Sequence, residues 1–206
     1  MRGKQIRKSI ELLVMGFVAV GTFSAWADES ADMASHDPLT VAVARTSSVQ
    51  YAVPQVTLVR DDGKTISLPE EMNDGRPVVL NFIFTSCGSI CPLMSQTFAQ
   101  FERKLGAESS QVHLMSISTD PEADTPARLS EYARKFHAGA EWQHYTGTVE
   151  ASLAAQRAFD VYRGDRMSHT PVTLMRAAPG KPWLSIVGFF RPDDLVGDCR
   201  RLLVKF

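Results

Sequence analysis

Cysteine is scarce in this chain. Three thiols in 206 residues are too few to staple a small secreted domain together. They leave room for one working pair and an odd thiol. Charge of one sign is lacking too. With 22 Lys and Arg against 23 Asp and Glu, the formal net charge is −1, and no basic stretch offers a surface for nucleic acid. Past Trp26 there is no hydrophobic run long enough for a membrane span, which needs about 20 apolar residues. Internal repeats are missing as well, which excludes a solenoid.

What is present begins with a targeting pattern. "MRGKQIRKSIE" is basic, "LLVMGFVAVGTF" is apolar, and "SAWA" ends in a small-x-small cleavage signature. Residues 1–27 therefore read as a secretory signal peptide cut after Ala27, which points to the periplasm. Left uncleaved, the same segment would be an N-terminal anchor; membrane contact is expected only through it or through the partner. Its removal takes away four basic side chains and one acid, so the formal charge moves from −1 to about −4. Residues 28–50, small and polar with weak periodicity, read as a flexible segment in which His36 is a solvated side chain.

From Tyr51 to Phe206 the pattern is that of one folded domain. "VTLVRDDGKTISL" predicts a hairpin turning at Asp61-Asp62-Gly63. "VVLNFIF" has the near-continuous apolar character of a strand buried on both faces. "PLMSQTFAQFERKL" then places Leu93, Phe98, Phe101 and Leu105 at helical spacing. "VHLMSIS" is a second buried strand. "TPARLSEYARKF" is a helix with Thr125 as N-cap, Pro126 at its first position, and Leu129, Tyr132, Ala133 and Phe136 as its apolar stripe. A short strand "EWQHYT", a helix "VEASLAAQRAFDVY", a hairpin of "TPVTLM" and "WLSIVGFF" across "APGKP", and a final helix "DDLVGDCRRLLVKF" complete the chain. That order predicts an α/β domain with a thioredoxin-like fold and an N-terminal β-hairpin extension.

The chemistry centres on "FTSCGSICPLM", where Cys87 and Cys91 follow a buried strand and Pro92 follows at once. Pro92 suits the first turn's opening position, which makes Cys91 the expected N-cap; orphan N–H groups and the helix dipole there favour a thiolate. The loop lies at the carboxyl end of a central strand, where open α/β sheets bind ligands. A stabilising disulfide across so short a loop would remove little chain entropy. Spacing alone leaves redox chemistry and metal binding both open.

Three blocks extend the signal. "NFIFTSCGSICPLMSQTFAQF", "MSISTDPEADTPARLSEYARKF" and "RMSHTPVTLM" resemble the successive blocks of the Sco/SenC proteins, thioredoxin-fold copper proteins of cytochrome c oxidase assembly. The resemblance covers residues 51–205, and the S-x-D-P-E-x-D-T-P run is its most distinctive part. It implies copper as the bound metal, held by the thiolates of Cys87 and Cys91 and the imidazole of His169. It also implies a copper-A subunit of a terminal oxidase, or another periplasmic copper protein, as partner, and a thiol reductant that keeps the pair open. Soft thiolates select Cu(I), and imidazole is a competent third donor. The alternative expectation is a thiol–disulfide oxidoreductase that uses the same sulfurs without metal. Two departures stand out: Gly88-Ser89-Ile90 replace the family's usual proline and acid between the cysteines, and Ser168 replaces the common aspartate before the histidine. Thr170-Pro171 resembles the proline that faces the cysteine loop in thioredoxins.

The remaining candidates have plainer readings. Met167 is expected to pack, His113 to be structural, His137 to meet a helix C-terminus, and His144 to sit on a strand surface. Cys199 falls on the apolar side of the last helix and reads as a buried, inert thiol. Asp120, Glu122 and Asp124 lack the regular oxygen spacing of a calcium loop and read as turn and capping residues.

Overall fold

The apolar run that begins at Val78 forms the centre of an eight-stranded mixed sheet in the computed structural model, which describes residues 44–165 and 170–204. In chain order the elements are β1 (Arg45–Val49), β2 (Thr57–Arg60), β3 (Thr65–Ser67), α1 (Leu68–Glu71), β4 (Val78–Ile83), α2 (Ile90–Leu105), a 3-10 turn over Gly106–Gln111, β5 (His113–Ser118), α3 (Pro126–Lys135), β6 (Trp142–Gly147), α4 (Val149–Ala158), β7 (Val172–Arg176), β8 (Trp183–Val187) and α5 (Pro192–Leu203). The strand order is β1-β8-β7-β4-β5-β6-β2-β3. β4, β5 and β6 run parallel through helical crossovers, and β7 and β8 return antiparallel. This is the expected thioredoxin-like α/β fold.

Every residue of β4 and β5 is buried, because helices cover both faces of the sheet. Val79 and Ile83 face one core with Phe98, Phe101, Leu129, Tyr132, Phe136, Leu195 and Cys199 from α2, α3, α5 and the residue that closes α3. Val78, Leu80 and Phe82 face a second core with Leu68, Met72, Ala151, Ala155 and Phe159. The alternation of β4 side chains thus divides the interior into two layers.

The local signals explain the boundaries. In the β2–β3 hairpin, Gly63 takes a φ of 87°, a left-handed conformation that glycine adopts without strain, while the Lys64 N–H donates to Asp62 Oδ1 at 3.0 Å. Thr125 caps α3 by accepting from the Arg128 N–H at 3.3 Å, with Pro126 at the first position. His137 lies just past the end of α3, exposed, with a φ of 56°, and the Ala138 N–H returns to the Ala133 carbonyl at 3.0 Å.

Two expectations are corrected. The flexible segment was expected to reach residue 50, yet Arg45–Val49 pairs with β8 along its whole length. Its side chains are almost all exposed, so no apolar period marks it as a strand. Leu93, assigned to the apolar stripe of α2, is 51% exposed; Met94 and Ser95 turn inward instead.

Candidate functional site

β4 delivers the chain to the carboxyl edge of the sheet, and the loop over residues 84–89 carries it into α2. The Cys87 N–H closes a turn onto the Phe84 carbonyl at 3.2 Å. α2 then begins at Ile90, with Ser89 as its N-cap residue and no capping bond from the serine side chain. Cys91 is therefore the second helical residue and Pro92 the third, which corrects the expectation that Cys91 caps the helix. Proline is still tolerated there, since N–H groups of the first turn have no intrahelical partner.

The sulfur of Cys87 fills the vacated capping role. It accepts from the Cys91 N–H at 3.3 Å. Cys87 and Cys91 are reduced and buried, at 8% and 1% exposure, so what access there is favours Cys87. Their ionisation differs in the same sense. Burial alone would raise the Cys87 thiol, but the N–H groups of Cys91, Ser89 and Ile90 and the Cys91 thiol donate to its sulfur and bring it below the ordinary cysteine value. Burial pushes the Cys91 thiol well above that value, and the charges of Cys87 and Asp124 add to this, against a backbone donor at Phe84. Helix-terminal stabilisation of a thiolate is thus present, as expected, but its beneficiary is Cys87.

The acidic loop supports this arrangement from below. Asp124 is fully buried, and both its oxygens accept from the Thr85 N–H at 3.2 Å. Thr85 Oγ1 donates to Oδ1 at 2.5 Å and Ser118 Oγ donates to Oδ2 at 2.6 Å. On the other side of the pair, Ser95 Oγ and Tyr132 Oη share a hydrogen bond of 2.8 Å.

The third expected ligand, His169, lies outside the described residues together with Met167 and Ser168. Among the described residues no group of three or more His, Cys, Asp or Glu is arranged to hold a metal ion. A cleft of about 380 Å³ lies between the acidic loop and α4, lined by Asp120, Glu122, Ser152 and Gln156 among others, and neither cysteine lines it.

With this geometry in view, the comparison with known proteins is decisive. The SCO1/SenC family model matches residues 44–203. The chain belongs to the SCO1/SenC family. A SCO1 protein homolog of Bacillus subtilis is 34% identical over 106 residues, which is 51% of this chain and 54% of that protein, so the chain spans about half the length of that curated relative. The crystal structure of Arabidopsis thaliana ScoI with copper bound superposes with a TM-score of 0.63 at 26% identity, covering 75% of this chain and 99% of that one. BsSco, a member of the Sco family of cytochrome c oxidase assembly proteins with an identified disulfide switch, gives a TM-score of 0.63 at 27% identity over 76% of this chain and 94% of its own.

Several features of this SCO1/SenC domain were not anticipated. His144, expected on a strand surface, is fully buried on β6, its ring 4.9 Å from that of Trp142 and its Nδ1 3.7 Å from Asp61. It ends a polar row in register across four strands: Thr173, Asn81, Ser116 and His144. Within it Ser116 donates to Asn81 Oδ1 at 2.6 Å and receives the Trp142 indole N–H at 2.8 Å. The asparagine inside "VVLNFIF" was the visible signal, since an amide in so apolar a strand needs partners. Cys199 is buried as expected, its thiol pushed up to about 12 by burial first and by Glu108 second.

Proposed function

We propose that this chain is a secreted, periplasmic copper chaperone. It would take copper on Cys87, Cys91 and His169 and deliver it to the copper-A site of a terminal oxidase or to another periplasmic copper protein. The observation that carries this reading is the pair itself. Two reduced cysteines stand together at the head of α2, at the carboxyl end of a central strand, with the Cys91 N–H donating to the Cys87 sulfur. Thiolates are soft donors suited to Cu(I), and imidazole completes a three-donor set. Such a low-coordinate set lets the metal leave by ligand exchange, whereas a structural zinc site closes with four ligands. Similarity to a copper-bound ScoI supports copper as the cargo, and similarity to BsSco supports oxidase assembly as the context. The signal pattern of residues 1–27 supports secretion.

The test is copper titration of reduced mature protein under anaerobic conditions, with X-ray absorption counting sulfur and nitrogen neighbours. His169→Ala is expected to weaken copper binding by more than the roughly 10–100-fold that outer-shell changes cost. Disulfide exchange by the same variant should stay at the wild-type rate. Equal copper affinity in wild type and variant would overturn the three-ligand reading.

A second reading, a thiol–disulfide oxidoreductase, is favoured by the asymmetry of the pair. Cys87 is the more accessible thiol with the lowered pKa, and Cys91 is the deeper one with the raised pKa. The Cys87 thiolate would attack a partner disulfide and release one partner thiolate, which takes up a proton. Cys91, giving up its proton, would then resolve the mixed disulfide and free the second partner thiol. In this reading the His169→Ala variant loses nothing.

A further inference from the structure

The loop that carries the cysteines is gripped on both sides by one stretch of chain far from it in sequence. On the upstream side Thr85, two residues before Cys87, gives its N–H and its hydroxyl to the Asp124 carboxylate. On the downstream side Ser95, four residues after Cys91, bonds Tyr132. Asp124 and Tyr132 belong to the same run, the acidic loop and the α3 helix that Thr125 caps. Asp124 is itself held at both ends. Its N–H donates to the Asp120 carbonyl at 2.9 Å, and its second oxygen takes the Ser118 hydroxyl, which in turn receives the Asp120 N–H at 3.0 Å.

A buried carboxylate with this many donors is expensive to place unless each oxygen is satisfied, and here all the donors converge. Two of the donors are on Thr85. The turn from Phe84 to Cys87 starts at that point, and that turn aims the Cys87 sulfur at the Cys91 N–H. Loss of the Thr85 anchor would loosen the turn while β4 and α2 stay packed, since Val79, Ile83, Phe98, Phe101 and Leu105 remain buried in the core.

Resting on the reading of Cys87 and Cys91 as the working pair, we propose that Asp124 is the positioning residue of this site. Acting through Thr85, it fixes the turn so that Cys87, and not Cys91, is the thiol presented to an incoming partner. Metal is not required for this role. It makes the second aspartate of the S-x-D-P-E-x-D-T-P run part of the thiol site rather than a loop-capping residue alone.

The experiment measures how sub-stoichiometric iodoacetamide divides between Cys87 and Cys91 in the reduced protein, read by peptide mass spectrometry, with the thermal midpoint recorded in parallel. Wild type is expected to label at Cys87. Asp124→Asn should lower the Cys87-to-Cys91 ratio by about tenfold or more, the scale of one charge-assisted hydrogen bond. Thr85→Val, which keeps the shape and removes only the hydroxyl, should shift the ratio in the same direction, and Thr85→Ser should restore it. If Asp124→Asn does not fold, the two Thr85 variants decide alone. A ratio that stays at the wild-type value in Thr85→Val, whether or not the thermal midpoint falls, overturns the positioning role. The assay contains no copper, so a chain that fails to bind copper yet shows the predicted shift refutes the chaperone reading and leaves this one standing.

Discussion

At the scale of single residues, the site is defined by which sulfur meets the helix terminus. A displacement of two residues in the start of α2 moves the N–H groups from the expected beneficiary, Cys91, to Cys87. Side-chain identity could not show this, because proline is accepted throughout a helix's first turn, so Pro92 does not fix the residue at which α2 starts. The residues between them impose little. Gly88 is exposed, its φ is not in the left-handed region, and a Cβ there would meet nothing within 4 Å. Glycine at that point adds freedom to the unfolded chain and is not required by the fold. Gly88→Ala is accordingly expected to stabilise the reduced protein by about 0.4–1 kcal/mol, measured as a shift of the urea midpoint at constant slope. A loss of stability of that size would mean that the loop backbone is held in a conformation only glycine accepts. Asp124 was invisible as a site residue for a different reason. Its partner Thr85 is 39 positions away, and no periodicity reports a contact between two loops.

At the scale of elements, what was legible was whatever buries an apolar face. β4 and β5 announced themselves by continuous apolar runs, and α3 by its cap, its proline and its stripe. β1 did not, since an edge strand with exposed side chains is defined by the neighbour's hydrogen bonds and not by its own composition. His144 was misplaced because the alternation of "EWQHYT" gives no sign that helix α3 covers one face of that strand. His113, at the start of β5, was read correctly as structural, and its surroundings carry a pH prediction. Its Nε2 lies 2.9 Å from Tyr145 Oη and 3.1 Å from Gln143 Oε1, while its Nδ1 is 3.1 Å from the Asp74 carboxylate. Burial lowers its pKa, Asp74 and Glu71 pull it upward, Arg76 lowers it further, and burial prevails. The unfolded chain therefore binds a proton near pH 6.5 that the folded chain refuses, and stability falls as pH drops below that value toward the folded pKa. Each unit of displacement is worth about 1.4 kcal/mol. Denaturant midpoints measured from pH 7 to pH 5 should decline, and His113→Gln, which keeps hydrogen-bonding capacity without titrating, should flatten that decline. An unchanged slope in the variant would assign the pH dependence to other groups.

At the scale of the whole molecule, the sheet is finished on one side by the β2–β3 hairpin and on the other by β1. The hairpin is bound to the second core through Leu58 and Ile66, both buried, and it also packs beside β6. β1 is mostly exposed, and among the described residues its five positions pair with β8 alone. Tyr51, two residues after β1, begins the firmly held chain, its ring 5.5 Å from that of Phe159 in an edge-on contact. Deleting the chain through Val49 should therefore leave both cores and the thiol loop intact. The stability cost should be about 1–3 kcal/mol, a few strand hydrogen bonds at their usual net worth. The larger effect follows from geometry. Without β1, the edge of Trp183–Val187 presents its backbone N–H and carbonyl groups to solvent as a template for another chain, and Val187 is already exposed. Sedimentation of the truncated protein should show association that grows with concentration, while the full mature chain sediments as a single species and both exchange disulfides at the same rate. A truncated chain that remains monomeric at every concentration would show that β8 protects its own edge, and that β1 serves something other than closure of the sheet.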